Sequence, residues 1–122
     1  MAEALRCYAE VFGCSQQEAA DQLRSRDALE GALARPRWYA QYGEADLAHQ
    51  AALLAHGIAE TQPFIEGNKR TALAVLRAFL LVNGYQVTAS QSERMSWMIR
   101  LSAGASVEEL ADQIRACLVP IE

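Results

Sequence analysis

The stretch from Asn68 to Asn83 constrains this chain most. Leu73, Leu76, Leu80 and Asn83 follow a 3–4 spacing, and Val75, Phe79 and Val82 widen the apolar face. A stripe so broad predicts the central, mostly buried helix of a bundle, starting near Gly67 or Asn68. Gly84 is its natural left-handed terminator, because it lacks a β-carbon. The apolar run from Thr71 to Val82 is interrupted by Arg77 and falls short of the ~20 residues that span a bilayer. A second long helix is predicted from Glu44, with Leu47, Ala51, Leu54 and Ile58 on one face, and it must stop before Pro63.

Shorter helices are marked by their starts. Ser15 with Glu18, and Ser106 with Glu109, have the spacing at which each side chain satisfies an orphan backbone donor. Leu110, Ile114 and Cys117 then share a face. One helix is predicted from Asp27 to about Arg35, because a proline disfavours helical geometry in the residue before it. Another is predicted after Ser92, ending at Gly104, and Tyr85–Thr88 is the only β-like run. The expected fold is all-α: a compact bundle of about six helices forming one domain over residues 1–122. The aromatic-rich stretch Arg35–Gly43, with Trp38, Tyr39 and Tyr42, reads as a short loop, either a connector covering the core or a flap over a site.

Composition narrows the class. Hydrophobic residues at 52% and charged ones at 21% exclude a disordered chain. A net charge of −4 argues against direct nucleic-acid binding, which calls for a basic stripe. Cys7, Cys14 and Cys117 lack metal-ligand spacing and read as reduced thiols. The start Met1-Ala2-Glu3 has no signal-peptide pattern, so a soluble, cytoplasmic protein without a membrane segment is expected.

The chemistry concentrates in Gln62-Pro63-Phe64-Ile65-Glu66-Gly67-Asn68-Lys69-Arg70, which joins the two long helices. A helix N-terminus presents unpaired N–H groups and favours anions. Gly67 allows close backbone approach, and Asn68 can cap the helix. Lys69 and Arg70 sit where the helix dipole disfavours cations, so the pair calls for an anionic partner such as phosphate. Glu66 adds the oxygen ligand that Mg²⁺ takes beside substrate phosphates. The alternative is an exposed charged loop with incidental capping.

This segment resembles the signature His-x-Phe-x-(Asp/Glu)-Gly-Asn-x-x-Arg of the Fic/Doc (Fido) superfamily, and most closely its death-on-curing (Doc) toxin branch. Pro63–Ala72 follows the Doc loop with Glu66 as the one, allowed, departure. The flanks Ala28–Pro36 and Phe79–Gly84 match as well, and the likeness covers roughly residues 27–119. Lys69 and Leu73 stand where adenylylating Fic enzymes have Gly and a second Arg. The resemblance implies a toxin of a toxin–antitoxin system, a transferase binding ATP and Mg²⁺ that phosphorylates a threonine of elongation factor Tu. Its expected partner is a Phd-like antitoxin, whose tail folds into a groove. Adenylyl transfer, or a pseudoenzyme that only binds nucleotide or partner, is the alternative.

Carried onto this chain, the resemblance places Gln62 at the general-base position and makes Phe64 a buried anchor. Glu66 would hold Mg²⁺, Gly67 and Asn68 would donate to nucleotide phosphates, and Lys69 and Arg70 would neutralise the charge developing in transfer. Gln62 departs from the motif, whose histidine takes the proton. An amide cannot do so near neutral pH, and losing a general base costs ~10²–10⁴-fold. His56, six residues before Gln62, is not at a same-face spacing and reads as a partly exposed helix histidine.

Overall fold

The computed structural model describes residues 1–42 and 46–121, with only the backbone described over 37–42. Among these, seven helices and one two-stranded ribbon follow in the order α1 (Ala2–Phe12), α2 (Gln16–Asp21), α3 (Arg26–Tyr42), α4 (Leu47–Thr61), α5 (Asn68–Val82), β1 (Tyr85–Val87), α6 (Gln91–Ser102), α7 (Val107–Cys117) and β2 (Leu118–Pro120). The all-α architecture is as expected. No helix among the described residues is long and apolar enough to cross a membrane.

Centrality falls to α4 rather than α5. α4 packs against α3, α5, α6 and α7, and buries residues all round its circumference, from Ala48 to Ile58. Its alanines hide this from a stripe of large side chains, because small residues let neighbouring helices approach on several sides. α5 buries Thr71, Ala72, Leu73, Val75, Leu76 and Leu80, but its last turn faces outward, with Val82 78% exposed.

The reciprocal capping pair forms in full at α2, and at α7 the Ser106 half of it forms. Ser15 accepts from the Glu18 amide at 3.0 Å while Glu18 accepts from the Ser15 amide at 3.1 Å. Ser106 accepts from the Glu109 amide at 3.2 Å. α6 starts earlier than predicted because Ser90, not Ser92, is its cap, accepting from the Glu93 amide at 3.2 Å.

α3 departs most from expectation. It does not end at Arg35 but continues through Pro36 to Tyr42, so the backbone there is helical and not a loop. An interior proline costs about 3 kcal/mol. Packing against α4 offsets that cost, and Arg35 donates to Glu60 of α4 at 3.2 Å. The side chains of Trp38, Tyr39 and Tyr42, and Gly43 itself, lie outside the described residues, and with them the flap reading.

β1 has a partner the sequence did not announce. It pairs antiparallel with β2 in the register Tyr85↔Pro120, Gln86↔Val119, Val87↔Leu118, so the end of the chain returns beside the C-terminus of α5.

Candidate active site

The loop between α4 and α5 is held by three independent ties. Gln62 closes α4 in the left-handed region at φ 47°, its amide donating to Ile58 at 3.0 Å. Next, the α2–α3 connector lies antiparallel to the loop through a Leu23–Phe64 bridge. The Arg24 and Ser25 amides donate to the Pro63 carbonyl at 2.7 and 3.1 Å, and the Ile65 amide donates to Gln22 at 2.8 Å. The third tie corrects the expected role of Asn68. Its side chain does not cap α5, whose N-cap is Gly67. Instead its Oδ1 accepts from the Phe64 amide and its Nδ2 donates to the Phe64 carbonyl, both at 3.0 Å. Bound at both ends to Phe64, that side chain braces the loop, and the Asn68 backbone amide has no partner within the helix.

Phe64 is the buried anchor, fully enclosed. It stacks on Tyr8 at 4.4 Å between ring centroids, and Tyr8 lies 4.6 Å from Phe12 in a tilted pair. Such pairs add about 0.5–1.5 kcal/mol beyond burial. The Arg70 guanidinium caps this column 5.8 Å above the Phe12 ring. Gly67, at φ 78°, packs so tightly under Phe12 that a β-carbon would overlap the ring. Its small size therefore serves the column directly. Tyr8 and Phe12 were missed from sequence, since two aromatics four residues apart on an N-terminal helix look like ordinary packing.

Gln62, Ile65, Glu66, Gly67, Asn68, Lys69 and Arg70 line one open cleft of about 520 Å³, with Phe12, Ala59 and Ser102 completing its walls. The first helical bond of α5 runs from the Thr71 amide to Gly67, so the amides of Asn68, Lys69 and Arg70 have no partner within the helix. Among the described residues, no ion pair engages Glu66, Lys69 or Arg70. Burial pushes the Tyr8 phenol up from its ordinary range, and the nearby Glu66 charge adds to the shift.

This donor set suits a phosphate-bearing ligand. It also suits Mg²⁺ carried with that ligand, since Mg²⁺ needs only one or two protein carboxylates when phosphates supply the rest. Among the described residues no cluster of three metal-ligating side chains occurs, so Glu66 would bind the ion jointly with the phosphates.

His56 lines an adjoining hollow together with Gln62. Its Nδ1 lies 3.4 Å from Arg35 Nη1 and its Nε2 lies 3.5 Å from Glu60 Oε2. Arg35 can only donate, so the 3.4 Å contact directs its guanidinium at Nδ1. Through the Arg35 contact the ring helps join α3 to α4.

The loop between α4 and α5 thus brings one carboxylate, two cations and an open helix start to one cleft of an all-α bundle. The sequence model of the Fic/DOC family matches residues 3–80, and the chain belongs to that family. The match takes in α1 and α2, where likeness was least clear from the motif alone. No curated protein matched the chain.

Proposed function

We propose that this chain is a Doc-type toxin, built to transfer the γ-phosphate of ATP to a threonine of elongation factor Tu and impaired by Gln62. The convergence of Gln62, Glu66 and the Gly67–Arg70 helix start on one cleft carries this reading. The open amides with Lys69 and Arg70 would bind and neutralise the triphosphate, and Glu66 would hold Mg²⁺, which when bound would supply further charge neutralisation. Gln62 can orient the attacking hydroxyl through a hydrogen bond but cannot take its proton. With histidine there, the imidazole accepts the threonine proton, the oxygen bonds to the γ-phosphorus, and ADP leaves. Gln62 also supports a second reading, a pseudoenzyme that keeps nucleotide or partner binding alone.

A groove fits the antitoxin role. Two adjoining hollows of about 550 and 280 Å³, sharing Arg6, Cys7 and Ala78, run along α1 and α5 and are lined by Val11, Leu81, Val82 and Tyr85. Arg6, Glu10 and Arg77 add charges to these apolar walls, and amphipathic segments dock in grooves of that mixed kind.

The test is Gln62→His, expressed in a bacterial host and incubated with purified elongation factor Tu and ATP labelled at the α or γ position. A rate gain of ~10²–10⁴-fold, arrested growth and label from the γ position alone are expected. Label from the α position would make the chain an adenylylating enzyme. If neither label transfers and growth continues, the pseudoenzyme reading stands.

A further inference from the structure

From its position against the end of α4, we infer that Arg24 is a positioning residue for the cleft, an inference resting on the transferase reading of position 62. Gln62 holds a backbone conformation, φ 47°, that residues with a β-carbon rarely adopt, and among the described residues it alone does so without being glycine. Such a conformation persists where the surroundings over-determine it.

Two sets of contacts do so here. The Gln62 amide is fixed from inside by Ile58. From outside, Arg24 Nη2 donates to the Gln62 carbonyl at 2.6 Å. That carbonyl lies at the negative end of the α4 dipole, where a cation is favoured. Among the described residues Arg24 has no acidic partner, so its charge is committed to this end of α4.

The residues beside it complete a clamp. The Arg24 and Ser25 amides grip the next carbonyl, Pro63, and Gln22 accepts from Ile65. Backbone bonds therefore fix the loop beyond position 62, and the Arg24 side chain fixes position 62 itself. The consequence is directional. The left-handed turn decides where the side chain at 62 points, and Gln62 lines the same cleft as Lys69 and Arg70. Arg24 touches neither phosphate nor acceptor and works by aiming the residue that faces the acceptor hydroxyl.

The test has two arms on the full chain. In the first, the strong intraresidue amide–Hα NOE that marks positive φ is read at Gln62 by NMR. It should weaken in Arg24→Ala and persist in Arg24→Lys, which keeps a cation within reach. A Gln62 that stays left-handed in Arg24→Ala overturns the inference, whatever happens in the second arm.

In the second arm, Arg24→Ala is added to Gln62→His and transfer is measured. kcat should fall about tenfold or more with KM for ATP nearly unchanged, because misaiming a reacting group costs rate rather than binding. Arg24→Lys should recover most of that loss. An unchanged kcat, or a raised KM with kcat intact, overturns the inference. If Gln62→His transfers nothing, the transferase reading fails instead, and the NOE alone decides whether Arg24 sets the turn.

Discussion

At the scale of single residues, the structure separates what the loop does from what its side chains are free to do. Asn68 looked like a side-chain cap, yet its side chain is tied to Phe64 at both ends of its amide and Gly67 is the N-cap. Lys69 and Arg70 remain as the exposed cations, so the Lys69→Ala, Arg70→Ala double variant should lose most ATP–Mg²⁺ binding in calorimetry. Equal affinity for the two proteins would remove their phosphate role. Thr71 is a different case. It is 0% exposed, and among the described residues its hydroxyl has no hydrogen-bond partner. An unsatisfied buried hydroxyl costs about 1–3 kcal/mol. Thr71→Val keeps the shape and removes the hydroxyl, so chemical denaturation should show a gain of about 1 kcal/mol. A loss would mean that the hydroxyl has a partner in solution.

At the scale of elements, the contact between α3 and α4 sets the limits of change. A β-carbon at Gly57 would lie 2.9 Å from that of Ala32. Gly57→Ala gains about 1 kcal/mol in helix propensity but forces an overpacked contact costing about 1–3 kcal/mol. The net should be a loss of roughly 1 kcal/mol, and Ala32→Gly in the same chain should recover part of it in a double-mutant cycle. A stabilised single variant would show that the two helices separate freely.

That same contact explains where sequence reading stopped. Long helices with apolar spacing, such as α4 and α5, were legible, as were starts carrying Ser-x-x-Glu. Pro36 misled because local geometry argues for an end there, whereas packing on α4 and the Arg35–Glu60 pair carry the helix past it. β2 escaped because three residues ending in Pro120 have no pattern of their own and become a strand only beside β1. The cleft was legible as a motif, but its support by Tyr8, Phe12 and Arg24 was not, since those contacts join residues far apart in the chain.

For the whole molecule, the bundle is closed by an ion pair spanning 69 residues of sequence. Arg115 of α7 donates to Asp46, the cap of α4, through Nε at 2.8 Å and Nη2 at 2.9 Å, and to Asp112 at 2.8 Å. The hydrogen bonds from Arg115 hold the Asp46 carboxyl below its usual range, outweighing the opposing effect of burial. A carboxyl with a lowered folded pKa binds fewer protons in the folded state than in the unfolded one. Its contribution is therefore complete above the unfolded value of about 3.9 and is lost as pH falls through the folded value. Both side chains are about half exposed, at 46% and 54%, so solvent screening limits the pair to about 0.2–1 kcal/mol. Arg115→Gln should then lower the thermal midpoint by a few degrees at pH 7, and by less in high salt. Below the folded pKa of Asp46 the variant and the parent should melt together. A difference that survives once Asp46 and Asp112 are both protonated would show that Arg115 acts through packing of its aliphatic stem rather than through their charges.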